Sequence, residues 1–247
     1  PTETPTKAGY LFKVVPANTV TFNFAPGALN VNYTEYRKSL DDDTTYCFTD
    51  SITLDLSRRD FTVNAMAYAP ETGLVDPFGG VDDLKKGVIK CVGEPSRRFN
   101  EDALRILRGL RFSSVLGFSI EENTAAAIQQ LCPLLGNVAA ERKHVELVKL
   151  LCGKDVKRIL LDFPQVIFEI IPELEPMYKF PQKTKYHIFD VWEHTCRTVE
   201  KMPKDAELRL AALLHDAGKP VCRTVDENGT DHFRGHDEAG EKTAREI

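Results

Sequence analysis

Apolar residues recur at helical spacing through most of the chain after residue 100. A period of three to four positions indicates amphipathic helices that each bury one face. Prolines and glycines separate the periodic stretches and mark where each one ends. The pattern predicts helices over residues 100–112, 121–132, 138–152, 154–162, 187–202, 205–217 and 236–247.

The first hundred residues follow a different pattern. Alternating apolar and polar positions predict strands over residues 19–24 and 29–36, and a short strand is expected over 87–92. A helix is predicted from Asp60 through Ala67, ahead of a connecting region rich in proline and glycine. The chain is therefore expected to be α+β, with a mixed front and a mostly helical remainder.

Composition excludes several classes of protein. Hydrophobic residues make up 42% of the 247 positions and charged residues 28%, which excludes a disordered or collagen-like chain. No apolar run reaches the roughly 18 residues of a membrane span, so a cytoplasmic protein is expected. The cysteines are scattered without a C-x-x-C pair, which indicates reduced structural thiols. They are Cys47, Cys91, Cys132, Cys152, Cys196 and Cys222.

The net charge of -5 argues at first against a protein that binds nucleic acid. The charge is unevenly distributed, however. Residues 87–160 carry a net charge of +4, while residues 1–86 and 186–247 each carry -4. The basic segment at residues 87–160 is compatible with a nucleic-acid partner, although such a segment is often only a solvated surface.

One candidate for base selection lies in the basic middle, where helical spacing places Asp102 beside Arg105 and aligns Glu101, Arg105 and Arg108. A carboxylate accepts hydrogen bonds and a guanidinium donates them. Cytosine and adenine offer an amino donor beside a ring-nitrogen acceptor, so such a pair accepts them and rejects uracil and guanine. The alternative is an ordinary surface ion pair.

A second candidate lies at residues 55–68, around Arg58, Arg59 and Asp60. Two guanidinium groups pair well with phosphates, and the carboxylate can accept from a ribose hydroxyl. The combination suits a nucleoside triphosphate. The alternative is an exposed helix cap with salt bridges.

The third candidate is a set of histidines and carboxylates on successive predicted helices. His194 precedes the pairs His215-Asp216 and His236-Asp237. Imidazole and carboxylate groups bind divalent metals, and a metal with open positions can activate water for phosphoester hydrolysis. The alternative is a set of buried structural histidines.

Together these stretches resemble the bacterial-type (class II) tRNA nucleotidyltransferases, which are the CCA-adding enzymes and their poly(A) polymerase relatives. Residues 58–67 (RRDFTVNAMA) resemble the ribose and triphosphate motif, and residues 74–84 (LVDPFGGVDDL) the flexible connecting motif. Residues 99–112 (FNEDALRILRGLRF) are similar to the amino-acid template that selects C and A. Residues 140–151 resemble the next motif, and residues 186–195 and 213–220 resemble an HD phosphohydrolase domain.

The resemblance implies a partial nucleotidyltransferase α/β head, a mostly α-helical neck and body, and an all-α HD domain. The expected boundaries are 1–68 for the head, 69–135 for the neck with the template helix, 136–185 for the body and 186–247 for the HD domain. The implied activity is addition of C and A, from CTP and ATP, to tRNA 3′ ends.

The implied site residues fall into two groups. The nucleotide-binding residues are Arg58, Arg59, Asp60, Asn64, Asp102, Arg105, Arg108 and Arg111. The expected metal ligands of the HD domain, for a divalent transition metal, are His194, His215, Asp216 and His236. The head is expected to use Mg²⁺, and the expected partners are tRNA, ATP and CTP, without a membrane.

The sequence also departs from the family pattern. The Asp-x-Asp pair that binds Mg²⁺ does not occur before Thr19, and Asn32 stands where a third acidic residue is expected, with Glu35 nearby as the candidate catalytic carboxylate. The chain starts at Pro1 and ends at Ile247 within a helix-like stretch, so part of the machinery is expected outside it. Two alternatives remain open, an HD-type metal-dependent phosphohydrolase and a catalytically decayed tRNA-binding homologue.

Overall fold

A computed structural model of the chain describes residues 11–15, 19–23, 34–38, 45–49, 51–70, 72–184 and 188–247, the first four of these segments by their backbone alone. The chain divides into two compact units, Pro1–Leu84 and Lys85–Ile247. The expected boundaries at residues 68, 135 and 185 stay a prediction.

The described residues of the first unit form three antiparallel strand pairs and two helices, of which the second extends two residues beyond Leu84. Strand β1 pairs with β2, β3 with β4, and β5 with β6; in the last pair Tyr68 stands opposite Leu74. The elements are β1 (Leu11–Val15), β2 (Thr19–Asn23), β3 (Thr34–Lys38), β4 (Thr45–Thr49), α1 (Ile52–Ser57), β5 (Ala67–Ala69), β6 (Gly73–Val75) and α2 (Gly80–Lys86).

The predicted helix from Asp60 through Ala67 is wrong. The chain there forms a single 3-10 turn, Thr62–Asn64, and then enters strand β5. Asp60 Oδ1 accepts from the neighbouring Phe61 backbone N–H at 2.9 Å, a local bond that competes with helix formation. Two consecutive β-branched residues also disfavour a helix at this point.

Other expectations for the first unit are met in part. Strand β2 confirms the strand predicted at 19–24 as far as Asn23, and β3 overlaps the one predicted at 29–36. Phe24, residues 29–33 and therefore Asn32 lie outside the described residues, as does the side chain of Glu35. Strands β1 and β4 and helix α1 are additions, since the sequence pattern did not predict them.

The second unit is mostly helical. Its two-residue strands β7 (Val88–Ile89) and β8 (Ser119–Ile120) pair in parallel, so the strand predicted over 87–92 is much shorter than expected. The helices of its first part are α3 (Pro95–Glu101), α4 (Leu104–Leu116), α5 (Glu122–Leu131), α6 (Ala140–Leu151), α7 (Val156–Asp162) and α8 (Pro164–Ile170). The 3-10 turns Cys132–Asn137 and Pro172–Met177 follow α5 and α8.

Helix α4 runs through the middle of this unit and contacts both α6 and α7. Ile106, Leu107 and Leu110 of α4 are fully buried, at the helical spacing that the sequence predicted. The close approach to α6 depends on Gly153, where a Cβ atom would lie 2.0 Å from Ser114 Oγ. Small residues at this crossing therefore set the distance between α4 and the end of α6.

The helix predicted over 100–112 is broken in the structure. Helix α3 ends at Glu101, Asp102 has an extended backbone (φ −154°, ψ 104°), and α4 begins at Leu104. Asp102 Oδ1 accepts from the Leu104 backbone N–H at 3.1 Å. An aspartate that bonds a backbone N–H two residues ahead favours the start of a helix over its interior, which explains the break.

The final part of the unit contains α9 (Val191–Lys201), α10 (Ala206–Leu214), α11 (Lys219–Cys222) and α12 (His236–Glu246), with a short pair of strands, β9 (Thr224–Val225) and β10 (Asp231–His232). Asp190 and Asp205 cap α9 and α10 by accepting from backbone N–H groups three residues ahead, at 2.8 and 3.0 Å. Helix α9 starts later than the predicted 187, a residue outside the described ranges, and α10 ends three residues before the predicted 217.

The expected α+β class, with a mixed front followed by helices, is confirmed. The β9–β10 pair is a small addition to a helical end that was expected to be all-α. Among the described residues, every helix is too short or too polar to cross a lipid bilayer.

Candidate nucleotide-binding and metal sites

In the first unit, two arginine side chains pair with one carboxylate. Asp55, buried in α1, accepts from Arg58 Nε at 2.6 Å, and its other oxygen lies 3.3 Å from Arg59 Nη2. Both arginine side chains remain about one third exposed. Asp55 thus orients two cationic side chains whose remaining N–H groups can reach a phosphate.

Asp60 and Asn64 lie next to these arginines in the sequence and contact each other. Asp60 is buried, and its Oδ1 lies 3.4 Å from Asn64 Nδ2. Asp55 was not among the predicted site residues. Its spacing of three and four residues ahead of the two arginines is the signal that could have identified it.

A second candidate site is the segment from Arg98 to Arg111, called here the selection segment. Glu101, at the end of α3, bonds three arginines: Arg97 Nε at 3.1 Å, Arg98 Nη1 at 2.9 Å and Arg105 Nη1 at 3.0 Å. Arg105 Nη1 also donates to the Arg98 carbonyl oxygen at 3.2 Å. The expected alignment of Glu101 with Arg105 is therefore confirmed, although a helix break separates them.

Asp102 is held by a different element. Its Oδ2 accepts from Arg142 Nη2 of α6 at 3.2 Å, and the two side chains remain 36% and 43% exposed. The break at Asp102 means that it does not share a helix with Arg105, so the predicted i, i+3 arrangement is wrong. Both residues nevertheless belong to the selection segment, three positions apart.

The remaining predicted arginines of this segment are on α4. Arg111 Nε lies 2.7 Å from Glu146 Oε2, and both side chains are largely buried. The guanidinium groups of Arg108 and Arg111 lie 5.5 and 4.0 Å from the ring centre of Phe112. Arg142 and Glu146 lie within the motif at residues 140–151 but were not predicted as site residues, because nothing local in the sequence pairs them with residues 35 to 40 positions away.

The third candidate site is centred on Asp216, which is buried directly after α10. His194 Nε2 and His215 Nε2 lie 3.6 and 3.2 Å from its Oδ2, and His236 Nε2 lies 3.8 Å from its Oδ1. Donor atoms of His194, His215 and Asp216 all lie within 4.8 Å of one another. The four predicted metal ligands are thus brought together from α9, the end of α10 and the start of α12.

His215 and His236 are oriented as metal ligands require. His215 Nδ1 lies 2.8 Å from the Ala212 carbonyl oxygen, and His236 Nδ1 lies 2.6 Å from that of Phe233. Because a carbonyl oxygen only accepts, each Nδ1 is the protonated nitrogen. In the neutral form of these rings, Nε2 then presents its lone pair towards Asp216.

Lys219 is a further member of this cluster that the sequence did not predict. Its buried Nζ lies 2.7 Å from Asp216 Oδ2 and donates to Gln182 Oε1 at 2.7 Å. Burial raises the pKa of Asp216, but contacts with His215 and Lys219 outweigh burial and hold it at about 2. Burial likewise opposes the charged form of His215, yet the adjacent carboxylate of Asp216 raises its pKa.

The residues present fit a divalent cation. In the described part of the chain, no hydrogen bond of good geometry reaches the buried Asp216 Oδ2, although three nitrogen atoms lie near it. Two or three imidazoles and one carboxylate form a donor set that suits a transition metal. This arrangement can hold a metal and leave coordination positions open.

Three family models match the chain in sequence order. They describe the poly(A) polymerase head domain at residues 11–90, the probable RNA- and SrmB-binding site of polymerase A at 117–176, and the HD domain at 184–247. In three successive segments the chain is thus similar to the poly(A) polymerase and CCA-adding enzyme family. The family resemblance drawn from the sequence motifs is therefore confirmed.

Individual CCA-adding enzymes are similar to this chain over part of their length. A CCA-adding enzyme of Anoxybacillus flavithermus is 47% identical over 143 residues, which are 58% of this chain and 35% of that protein. One from Leuconostoc mesenteroides is 47% identical over 128 residues, 52% of this chain and 31% of that protein. The chain spans about a third of the length of these curated relatives.

One solved structure is similar in fold to this chain. The second apo form of a tRNA-processing enzyme aligns with a TM-score of 0.51 at 26% identity, covering 86% of this chain and 59% of that one. The fold therefore agrees with the family similarity that the sequence comparisons give.

Proposed function

We propose that this chain is part of an enzyme that adds C and A, from CTP and ATP, to the 3′ end of tRNA. The observation that carries the proposal is the selection segment, in which a carboxylate and a guanidinium three residues apart are each held by a partner of opposite charge. Relatives named as CCA-adding enzymes support the same activity. We propose that the enzyme acts in the cytoplasm.

The proposed roles follow from the contacts. Arg58 and Arg59, oriented by Asp55, bind the triphosphate, while Asp60 and Asn64 bind the ribose. Nucleotidyl transfer by this family uses a divalent metal ion, which we propose is Mg²⁺ here. When bound, the ion would stabilise the charge on the phosphates. Glu35 remains the proposed catalytic carboxylate within this chain.

Asp102 and Arg105 are proposed to choose the base. The amino group of cytosine or adenine donates to Asp102, and the ring nitrogen accepts from Arg105. A uracil or guanine would place its carbonyl oxygen against the carboxylate and its ring N–H against the guanidinium, which is unfavourable at both positions. Arg108 and Arg111 are proposed to support the bound nucleotide from α4, Arg111 through its ion pair with Glu146.

The test uses Asp102→Ala and Arg105→Ala in the full-length protein, with incorporation of all four nucleotides into tRNA lacking its 3′ end. We expect the preference for C and A over U and G to be lost. Arg245→Ala, which removes an exposed arginine, is the control and should retain the preference. A retained preference in both site variants contradicts the proposal, and tight tRNA binding without any incorporation by the wild type favours a decayed tRNA-binding homologue.

A second candidate function is metal-dependent phosphoester hydrolysis at the cluster around Asp216. The cluster favours it because His215 and His236 both aim Nε2 at a buried carboxylate. The proposed ligands are His194, His215, Asp216 and His236, and the metal would supply an activated water.

Metal binding can be measured apart from activity. Titration with Mn²⁺ or Ni²⁺, followed by calorimetry, should show binding that His215→Ala and His194→Ala abolish. His232→Ala removes an exposed histidine that pairs with Asp226 instead, and it should leave binding unchanged. Unchanged metal binding and unchanged phosphatase activity on 2′,3′-cyclic ends in His215→Ala would contradict this function.

A further inference from the structure

A groove of about 890 Å³ adjoins the candidate metal cluster. Its walls come from the segments at residues 183–184 and 230–237, and His236 and Lys219 belong both to the groove and to the cluster. Pockets of this size take whole small-molecule ligands, and a single phosphate group fills only a part of one. A phosphoester whose phosphate lies at the cluster can therefore extend into the groove.

Backbone and side-chain hydrogen bonds join the two walls of the groove. The Asp231 N–H donates to the Lys183 carbonyl oxygen at 2.9 Å, and the Lys183 N–H donates to Asp231 Oδ2 at 2.7 Å. The other carboxylate oxygen of Asp231 accepts from Arg223 Nε at 2.9 Å, and the Asp231 side chain is fully buried. Asp231 therefore fixes the shape of the groove, and Arg223 compensates its charge.

Two cationic side chains are exposed along this groove, Lys183 on one wall and Arg234 on the other. In the described part of the chain neither forms a close ion pair, whereas Lys219 is bound to Asp216. The exposed carboxylate that also lines the groove is that of Asp237. The two cations outnumber it, and a guanidinium and an ammonium with N–H groups to donate favour a phosphate as ligand.

Arg234 lies two residues before His236, a proposed metal ligand. The Phe233 carbonyl oxygen lies 2.6 Å from His236 Nδ1, and Gly235, at φ +76°, turns the chain from β10 into α12. The same short turn therefore orients an imidazole towards the cluster and places Arg234 on the groove. The half-buried Phe233 also lines the groove and offers ring surface on which a nucleobase can stack.

We propose that this groove binds the 5′-phosphate of a nucleotide whose 2′,3′-cyclic phosphate is hydrolysed at the cluster around Asp216, and that Arg234 and Lys183 contact the 5′-phosphate. The proposal rests on the second candidate function. The hydrolysis consumes one water: its oxygen forms a new bond to phosphorus, one P–O bond of the ring breaks, and the released ribose oxygen takes a proton. A free nucleotide and the 3′ end of an RNA chain both carry a phosphate at this position.

The kinetic test uses the full-length protein with Mn²⁺ and two substrates, adenosine 2′,3′-cyclic phosphate with and without a 5′-phosphate. The wild type should prefer the 5′-phosphorylated substrate. Arg234→Ala should raise KM for that substrate about tenfold, the effect of one charge-assisted hydrogen bond, and leave kcat/KM for the other unchanged. Lys183→Ala should act in the same direction, and Arg234→Lys should keep part of the preference.

Binding without turnover gives a second readout. Calorimetric titration with adenosine 3′,5′-bisphosphate in EDTA should show about tenfold weaker binding to Arg234→Ala than to the wild type. The same difference should appear in an Arg58→Ala background, since Arg58 belongs to the proposed triphosphate site of the first unit. Arg245→Ala, which removes an exposed arginine of α12, is the matched control and should bind as the wild type does.

Three results would overturn the proposal. The first is an unchanged preference for the 5′-phosphorylated substrate in Arg234→Ala. The second is an equal loss of preference in Arg245→Ala, because overall charge would then explain the effect. The third is loss of Mn²⁺ binding in Arg234→Ala, because the substitution would then act through His236.

Further arms separate the source of the phosphate and the fate of the hydrolytic function. With a dinucleotide that has the same 2′,3′-cyclic end, a KM that depends on Arg234 supports an RNA end as the ligand. Dependence on Arg234 for the 5′-phosphorylated mononucleotide alone supports a free nucleotide. If the wild type hydrolyses none of these substrates, the second candidate function fails and the hydrolytic part of this proposal fails with it, while the bisphosphate titration decides the binding part.

Discussion

The guanidinium of Arg209, on α10, donates to the carbonyl oxygen of Gly153, just after the end of α6, at 2.8 Å. The same side chain also donates to the carbonyl oxygens of Leu151, Met202 and Pro203, and the residue is 4% exposed. Backbone carbonyls at helix ends lack intrahelical partners. One buried arginine therefore satisfies the ends of both α6 and α9.

Arg209→Met should lower the free energy of unfolding by about 3 kcal/mol or more, because several buried carbonyl oxygens lose their donors. The urea midpoint, followed by circular dichroism, measures this change. Arg245→Met, at an exposed arginine bonded to Glu241, should leave the midpoint unchanged. Equal midpoints for wild type and Arg209→Met would show that water replaces these bonds.

The buried pair between Arg111 and Glu146 leads to a second prediction. Glu146→Gln should lower the free energy of unfolding by about 3 kcal/mol, since it leaves the buried guanidinium of Arg111 without this carboxylate. Glu141→Gln, on the exposed first turn of α6, is the control and should be close to neutral. Replacing both partners with Arg111→Met and Glu146→Leu should recover much of the loss. Thermal unfolding of all four proteins measures these differences.

The crossing of α4 with the end of α6 predicts a packing defect in Gly153→Ala. The new methyl group would lie 2.0 Å from Ser114 Oγ and 2.7 Å from the Ser114 carbonyl carbon, so the backbone must move. We expect a loss of about 2 kcal/mol or more, typical of overpacking. At Gly136 the nearest atom would be 3.5 Å away, so Gly136→Ala serves as the control. Comparable urea midpoints for the two variants would contradict the close approach.

Asp76 gives a pH-dependent prediction for the first unit. Its carboxylate accepts from the backbone N–H groups of Gly80 and Val81, at 2.7 and 2.9 Å. Burial raises the pKa of this carboxyl, but these bonds outweigh burial and lower it. A lowered pKa in the folded state stabilises the protein above the unfolded pKa, and this contribution is lost as pH falls through the folded pKa.

Asp76→Asn should therefore destabilise the protein by about 1 kcal/mol at pH 7, in line with the loss of a charged helix cap. The difference from wild type should shrink below about pH 4. Unfolding in urea at pH 7, 5 and 3 measures it. Glu227→Gln removes an exposed carboxylate and should show no such trend. A difference that stays constant with pH would contradict the assignment.

Much of the second unit was predictable because helix formation leaves a local signal. The buried positions of α4, at Ile106, Leu107 and Leu110, follow the apolar period of the sequence. The helix break at Asp102 was missed, since a periodic pattern on both sides conceals a two-residue interruption. The helix predicted at Asp60 failed for a related reason, because a local side-chain bond prevailed over a short apolar pattern.

The sequence by itself determined the family resemblance, the order of the matched segments and most of the candidate site residues, although Asp55 and Lys219 were found only in the structure. Only the tertiary structure decided how those residues are paired. Arg142 reaches Asp102 across 40 positions, and three separate segments place His194, Asp216 and His236 together. Local periodicity carries no information about such distances, because they depend on which helix faces pack against each other and at what register.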